Sequence, residues 1–80
     1  MFQAHVDVGT ENNFSEMSFV GFLKKNPQVS SCVTLFESEQ YRLEVSFADL
    51  TDLHTFLSVL GEVVPGICSL RIVIFGRRVY

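Results

Sequence analysis

The stretch YRLEVSFADLTDLHTFLSVLG, residues 41–61, decides the fold. Its first part alternates. Tyr41, Leu43, Val45 and Phe47 are apolar, while Arg42, Glu44 and Ser46 are polar. Successive side chains of a strand point to opposite faces, so this alternation predicts a strand with one buried and one open side. After Asp49 the period changes. Leu50, Leu53, Phe56, Leu57 and Leu60 share one stripe of a helix. Asp49 offers a side-chain oxygen to the first free amides, with Asp52 three places on. Gly61 and the Pro65-Gly66 pair are expected to end this helix.

A similar strand-then-helix order opens the chain. Phe2, Ala4, Val6 and Val8 alternate with Gln3, His5 and Asp7 as a first strand. Gly9 to Asn12 reads as a polar turn. Asn13 and Glu16 have the spacing of a capping box. Met17, Phe19, Val20, Phe22 and Leu23 then recur at helical spacing, with a penalty of about 1 kcal/mol at Gly21 relative to Ala. Lys24 and Lys25 suit the negative end of the helix, and Pro27 stops it. A second strand is expected over residues 29–37, a polar reversal over 37–40, and a fourth strand over 69–75. The order β-α-β-β-α-β predicts a ferredoxin-like α+β fold, with a four-stranded antiparallel sheet and two helices on one face. The first and third strands are central. No linker or low-complexity tract divides residues 1–80, so one domain is expected.

The alternation also divides the sheet into faces. Phe2, Ala4, Val6, Val8, Val33, Leu35, Leu43, Val45, Phe47, Leu70, Ile72 and Ile74 are placed toward the helices. The other face receives Gln3, His5 and Asp7, then Cys32, Thr34 and Phe36, then Arg42, Glu44 and Ser46, and lastly Arg71, Val73 and Phe75. Charges sit on its central strands and apolar residues on its edges. The expected interface residues are therefore His5, Asp7, Phe36, Arg42, Glu44, Arg71, Val73 and Phe75. The bulk composition points the same way. The chain is 48% hydrophobic over 80 residues, with a mean hydropathy of +0.29. A domain of this size buries only about two-thirds or less of its unfolded surface, so surplus apolar area is left for association.

Several functions lose ground on composition. The net charge of −3 argues against direct nucleic-acid binding, which relies on clustered cations. No apolar run approaches the ~20 residues of a membrane span, and no signal-peptide pattern opens the chain, so a cytoplasmic location is expected. No P-loop, GxGxxG, HExxH, GxSxG or CxxC is present. His5 beside Asp7 has the makings of an oriented base, but a cross-strand cluster with Arg42 and Glu44 is the simpler reading. His54 is expected on the solvated side of its helix. Cys32 and Cys68 fall at opposite sheet edges, too far apart for a disulfide. No catalytic, metal or cofactor site is expected.

From Asn26 onward the chain resembles the effector-binding (RAM-type) domain of the leucine-responsive/asparagine-type (Lrp/AsnC) transcription regulators. Asn26-Pro27-Gln28-Val29 is similar to the way that family closes its first helix. Tyr41 to Val45 resembles its third strand, Asp49 to Leu60 its second helix, and Val64-Pro65-Gly66-Ile67 the turn before its last strand. The resemblance implies transcription regulation by a homodimer, assembled as an α+β barrel and further into a ring. It also implies a small ligand such as an amino acid between subunits, near Glu37, Glu39, Gln40, Pro65 and Gly66. The family places a Gly and an Asp in the hairpin where Glu37 and Gln40 stand here. A Cβ and a carboxylate then occupy the place of close backbone approach, and a fixed acceptor for an ammonium group is lost. Ordinary free amino acids are therefore expected to bind at millimolar affinity or worse. The regulators' DNA-binding helix-turn-helix is not in the chain, so the resemblance is to stand-alone versions of the domain. Two other readings stay open. One is a dimeric α+β-barrel enzyme of the small monooxygenase or isomerase type, which needs His5 or His54 in a pocket between helices and sheet. The other is a protein-interaction module, such as a peptide chaperone, an ACT-like appendage or an inhibitor protein; a regulator protein is a candidate partner of the chain.

Overall fold

The computed structural model describes residues 1–35 and 40–77. Its elements follow the order β1 (Phe2–Thr10), α1 (Glu16–Lys24), β2 (Val29–Thr34), β3 (Gln40–Phe47), α2 (Leu50–Val63) and β4 (Ile67–Arg77). The sheet is antiparallel, ordered β2-β3-β1-β4. This is the ferredoxin-like arrangement, with β1 and β3 in the centre.

The register of the central pair follows from the alternation. Ala4 faces Val45, Val6 faces Leu43 and Val8 faces Tyr41. These residues meet Phe19 and Leu23 of α1 and Leu53, Phe56 and Leu60 of α2 in one apolar core. The helices touch each other through Phe22 and Phe56, whose rings lie 5.7 Å apart. A second aromatic group, Phe14, Phe19 and Tyr41, closes one end with ring separations of 5.2–5.4 Å. There the Tyr41 hydroxyl donates to Glu16 at 2.8 Å.

Several expectations need correction. The N-cap of α1 is Ser15, not Asn13; its hydroxyl accepts from the Ser18 amide at 3.2 Å. Glu16 is thereby the first helical residue and is engaged by Tyr41, not by a capping box. At α2 the Asp49 cap is as expected, accepting from the Asp52 amide at 2.9 Å. That helix, however, runs through Gly61 to Val63, because Leu60 and Val64 on either side are buried and hold the turn in place. Met17, Val20 and Leu50 lie on the helical stripes but face outward.

The largest correction concerns β2. Its pairing with β3 shifts between Val29 and Ser31. The extra residue, Ser30, is a bulge, and one extra residue turns every later side chain to the other face. Cys32 and Thr34 therefore oppose Leu43 and Tyr41 on the helix side, while Ser31 and Val33 oppose Glu44 and Arg42 on the open side. The expected assignments of Cys32, Thr34 and Val33 are reversed. Desolvation, and then the nearby Glu16 carboxylate, push the Cys32 thiol up. Leu35 lies beyond the strand, and Phe36 lies outside the described residues.

On β4, Leu70, Ile72 and Ile74 do point to the helix side, opposite Val8, Val6 and Ala4. They are nonetheless exposed, because the helices stop short of this edge.

Two glycines separate backbone need from helix cost. Gly66 has φ +85°, and a Cβ there would clash with the Phe14 backbone. Gly61 is helical with open space around it. Gly66→Ala is expected to destabilise by about 1–3 kcal/mol, and Gly61→Ala to stabilise by roughly 0.5–1 kcal/mol. Urea unfolding midpoints of the two variants should move in opposite directions.

Candidate functional site

The open face of the sheet is built by the residues that the core does not take. On β1 and β3 the polar positions fall opposite one another: His5 faces Glu44 and Asp7 faces Arg42. Arg42 binds Asp7 in a two-pronged contact, Nε to Oδ1 at 2.8 Å and Nη2 to Oδ2 at 3.1 Å. Arg71 stands on the other side of Asp7, directly across from it on β4. This guanidinium pair, Arg42 foremost, holds the Asp7 carboxyl below its ordinary value. His5 Nε2 lies 3.2 Å from Glu44 Oε1, and the Ser31 hydroxyl donates to Glu44 Oε2 at 3.1 Å. Those two contacts, His5 first, lower the Glu44 carboxyl as well.

The centre of this face is thus a row of polar groups, with Arg42 and Asp7 paired and Glu44 held by His5 and Ser31. Around it lie apolar side chains that stand exposed among the described residues. Val33, Val73 and Phe75 are 53%, 45% and 53% exposed. Phe75 reaches back over the His5 ring, with centroids 4.7 Å apart. Ser31 and Val33 were not assigned to this face from sequence. The signal was the adjacent polar pair Ser30-Ser31, which breaks the alternation where the bulge forms.

The residues expected at the ligand site divide. Glu37 and Glu39 lie outside the described residues. Gln40 opens β3, exposed, opposite Gly9. Gly66 lies at the same end of the sheet, where its carbonyl accepts from the Glu11 amide at 2.8 Å. Gln40 and the Pro65-Gly66 turn are therefore brought to one end, on either side of β1, by strand pairing and by the close fit of Gly66 on Phe14.

The larger cavities are elsewhere. A groove of about 430 Å³ lies between α2 and the end of β3, lined by Val45, Phe47, Asp52, Leu53, Phe56 and Val59 among others. It is the kind of helix–sheet pocket that an enzyme of this architecture needs, but neither His5 nor His54 lines it. Among the described residues, no cluster of His, Cys, Asp and Glu has the makings of a metal site. No described helix is long and apolar enough to cross a membrane.

Comparison with solved structures places this geometry among known folds. The chain superposes on a transcriptional regulator of Neisseria meningitidis, crystallised as its L-Met complex, with a TM-score of 0.78 and 21% sequence identity. The match covers 99% of this chain and 52% of that one, so the chain spans about half the regulator's length. At this identity the likeness establishes the ferredoxin-like fold. No family model matches the sequence, and no curated protein does.

The Asp7–Arg42 pair gives a pH signature. A carboxyl whose folded value is depressed contributes stability above its unfolded value, near 3.9, and loses it as pH falls through the folded value. Asp7→Asn is expected to lower the unfolding free energy at pH 7 by about 0.5–1 kcal/mol, the range for a pair partly open to solvent. The gap between variant and wild type should narrow as pH falls below the ordinary aspartate value. Urea titrations at pH 7 and pH 2.5 measure both values.

Proposed function

We propose that this chain is a regulatory, ligand-sensing domain of the RAM type found in Lrp/AsnC regulators, acting as a homodimer through the open face of its sheet. The observation that carries the reading is that face itself. Arg42 and Asp7 are paired within the chain and Glu44 lies against His5 and Ser31, so covering these groups leaves their hydrogen bonds satisfied. Its exposed apolar residues, Val33, Val73 and Phe75, stand on both flanks. A surface with satisfied polar groups and flanking apolar area suits burial against a second copy. Two such sheets packed face to face form the α+β barrel that the family resemblance implies.

The fold-level match to a regulator in complex with L-Met supports the sensing half of the reading. The ligand proposed here is small and amino-acid-like, held between subunits at the end of the sheet that Gln40 and the Pro65-Gly66 turn share. Residues 37–39 would complete that site. A standard free amino acid is not the best fit, since Gln40 brings no fixed negative charge to hold an ammonium group. An enzymatic role is the weaker reading, because the helix–sheet groove lacks a histidine.

Two measurements test this. In sedimentation at micromolar concentration the chain should run above its 9.1 kDa monomer mass. Val73→Glu should raise the dissociation constant at least tenfold, about 1.4 kcal/mol, while His54→Glu leaves it unchanged. In calorimetry against the standard amino acids, binding should be at about 1 mM or weaker, near −4 kcal/mol. A monomer at all concentrations refutes the assembly, and a micromolar amino acid refutes the account of Gln40.

A further inference from the structure

α2 carries a second stripe beside the one it buries. Leu53, Phe56 and Leu60 go into the core. Asp52, Thr55 and Val59 follow one another at i, i+3 and i+7, so they share the neighbouring face. They form one wall of the groove of about 430 Å³ between α2 and the end of β3. Along this wall the chemistry changes from a carboxylate to a hydroxyl to an aliphatic side chain, over about 10 Å of helix axis. The buried Val45, Phe47 and Phe56 make an apolar floor. The facing wall is the connection between α1 and β2, with Asn26 and Gln28. Hydrogen bonds pin that connection. The Asn26 side-chain amide donates to the Phe22 carbonyl at 2.8 Å, and the Gln28 carbonyl accepts from the Ser46 amide at 2.8 Å. The Asp49 cap fixes the start of the other wall by accepting from the Asp52 amide. The groove is therefore built into the fold, and its volume lies within the roughly 300–1,000 Å³ of small-molecule sites. No lysine or arginine lines it, and among the described residues Asp52 makes no ion pair.

We propose that this groove binds a small organic amine, a protonated amino group on an aliphatic or aromatic body. The ammonium sits on the Asp52 carboxylate, with the Thr55 hydroxyl one turn on, and the body lies over Val45, Phe47 and Phe56 and ends at Val59. A hydrogen bond between two charged groups is stronger than a neutral one, and the apolar body gains by leaving water. The charge pattern selects the class. A carboxylic acid would meet Asp52 with no lysine or arginine to receive it. A free amino acid brings the right ammonium but leaves its own carboxylate unmatched. An amine that lacks the carboxylate satisfies the groove at both ends. This site is separate from the one proposed between subunits. Gln40 and Gly66 lie at the end of the sheet where Gly9 pairs with Gln40, whereas the groove lies at the opposite end, where Phe2 pairs with Phe47. All its residues come from one copy of the chain, on the helix side of the sheet, so it does not depend on the open face or on assembly.

The test is a titration of the full chain with phenethylamine, with phenylpropionate as the matched acid and with phenylalanine, read from backbone amide chemical shifts. Phenethylamine should move the amides of Gln28, Phe47, Asp52, Thr55 and Val59, and should bind about tenfold more tightly than either of the other two. Asp52→Asn should erase that preference with an unchanged circular dichroism spectrum, since Asp49 and not Asp52 caps the helix. Val59→Gln should weaken phenethylamine binding and keep the preference for the amine over the acid. Equal binding of amine and acid overturns the proposal, as does the absence of any saturable shift. Shifts centred on Gln40 and Gly66, or on the open face, place the amine elsewhere and overturn it too. A preference that survives Asp52→Asn does the same, because another group then holds the ammonium. A chain that sediments as a monomer counts against the dimer reading alone, since the groove is complete in one copy.

Discussion

The register between β1 and β3 is the constraint on which everything else rests. Val6 opposite Leu43 and Asp7 opposite Arg42 are consecutive steps of one ladder. The first pair is wholly buried in the core, and the second is an ion pair on the open face. A slip of one residue would carry Asp7 and Glu44 beneath the helices and turn Val6 and Leu43 outward. Burying unpaired carboxylates costs several kcal/mol each, so the chain has one register available. That register separates a dry side, which makes the domain stable, from a side of polar groups and apolar flanks that the core does not take.

Where the alternation is uninterrupted, the fold was legible. β1, β3 and most of the stripe of α2 could be read directly, because each has a regular period; yet β1 runs on through the expected turn at Gly9 to Thr10, and Leu50 of the stripe turns outward. The errors came where a single residue changes the count. Ser30 is extra in β2, and its presence reverses the roles of Cys32, Val33 and Thr34. Ser15 and Asn13 are both plausible caps two positions apart, and the choice depends on Phe14, which packs against Phe19 and Tyr41 and so draws the helix start after itself. The exposure of Leu70, Ile72 and Ile74 was not legible either. Their period places them on the helix side, but whether a helix reaches that far is a matter of layer width, which no local pattern encodes.

The candidate site was legible to a similar degree. The cross-strand partners of His5 and Asp7 follow from the register, and the geometry adds Ser31 as a second donor to Glu44. The two histidines serve as surface and ladder residues, away from the groove beside α2. The surplus apolar content, visible in composition alone, resolves into two places: the flanks of the open face and the edge of β4. Neither resembles a catalytic centre, and both resemble surfaces waiting for protein.

The central claim is that the open face of the sheet is the contact between copies. Isotope-filtered nuclear Overhauser spectroscopy on a mixture of labelled and unlabelled chain tests it most directly. The account predicts intermolecular cross-peaks from the methyls of Val33 and Val73 and the ring of Phe75, with none from Met17 or Val20 on α1. Cross-peaks confined to the helices, or none at concentrations where the chain is assembled, would contradict it.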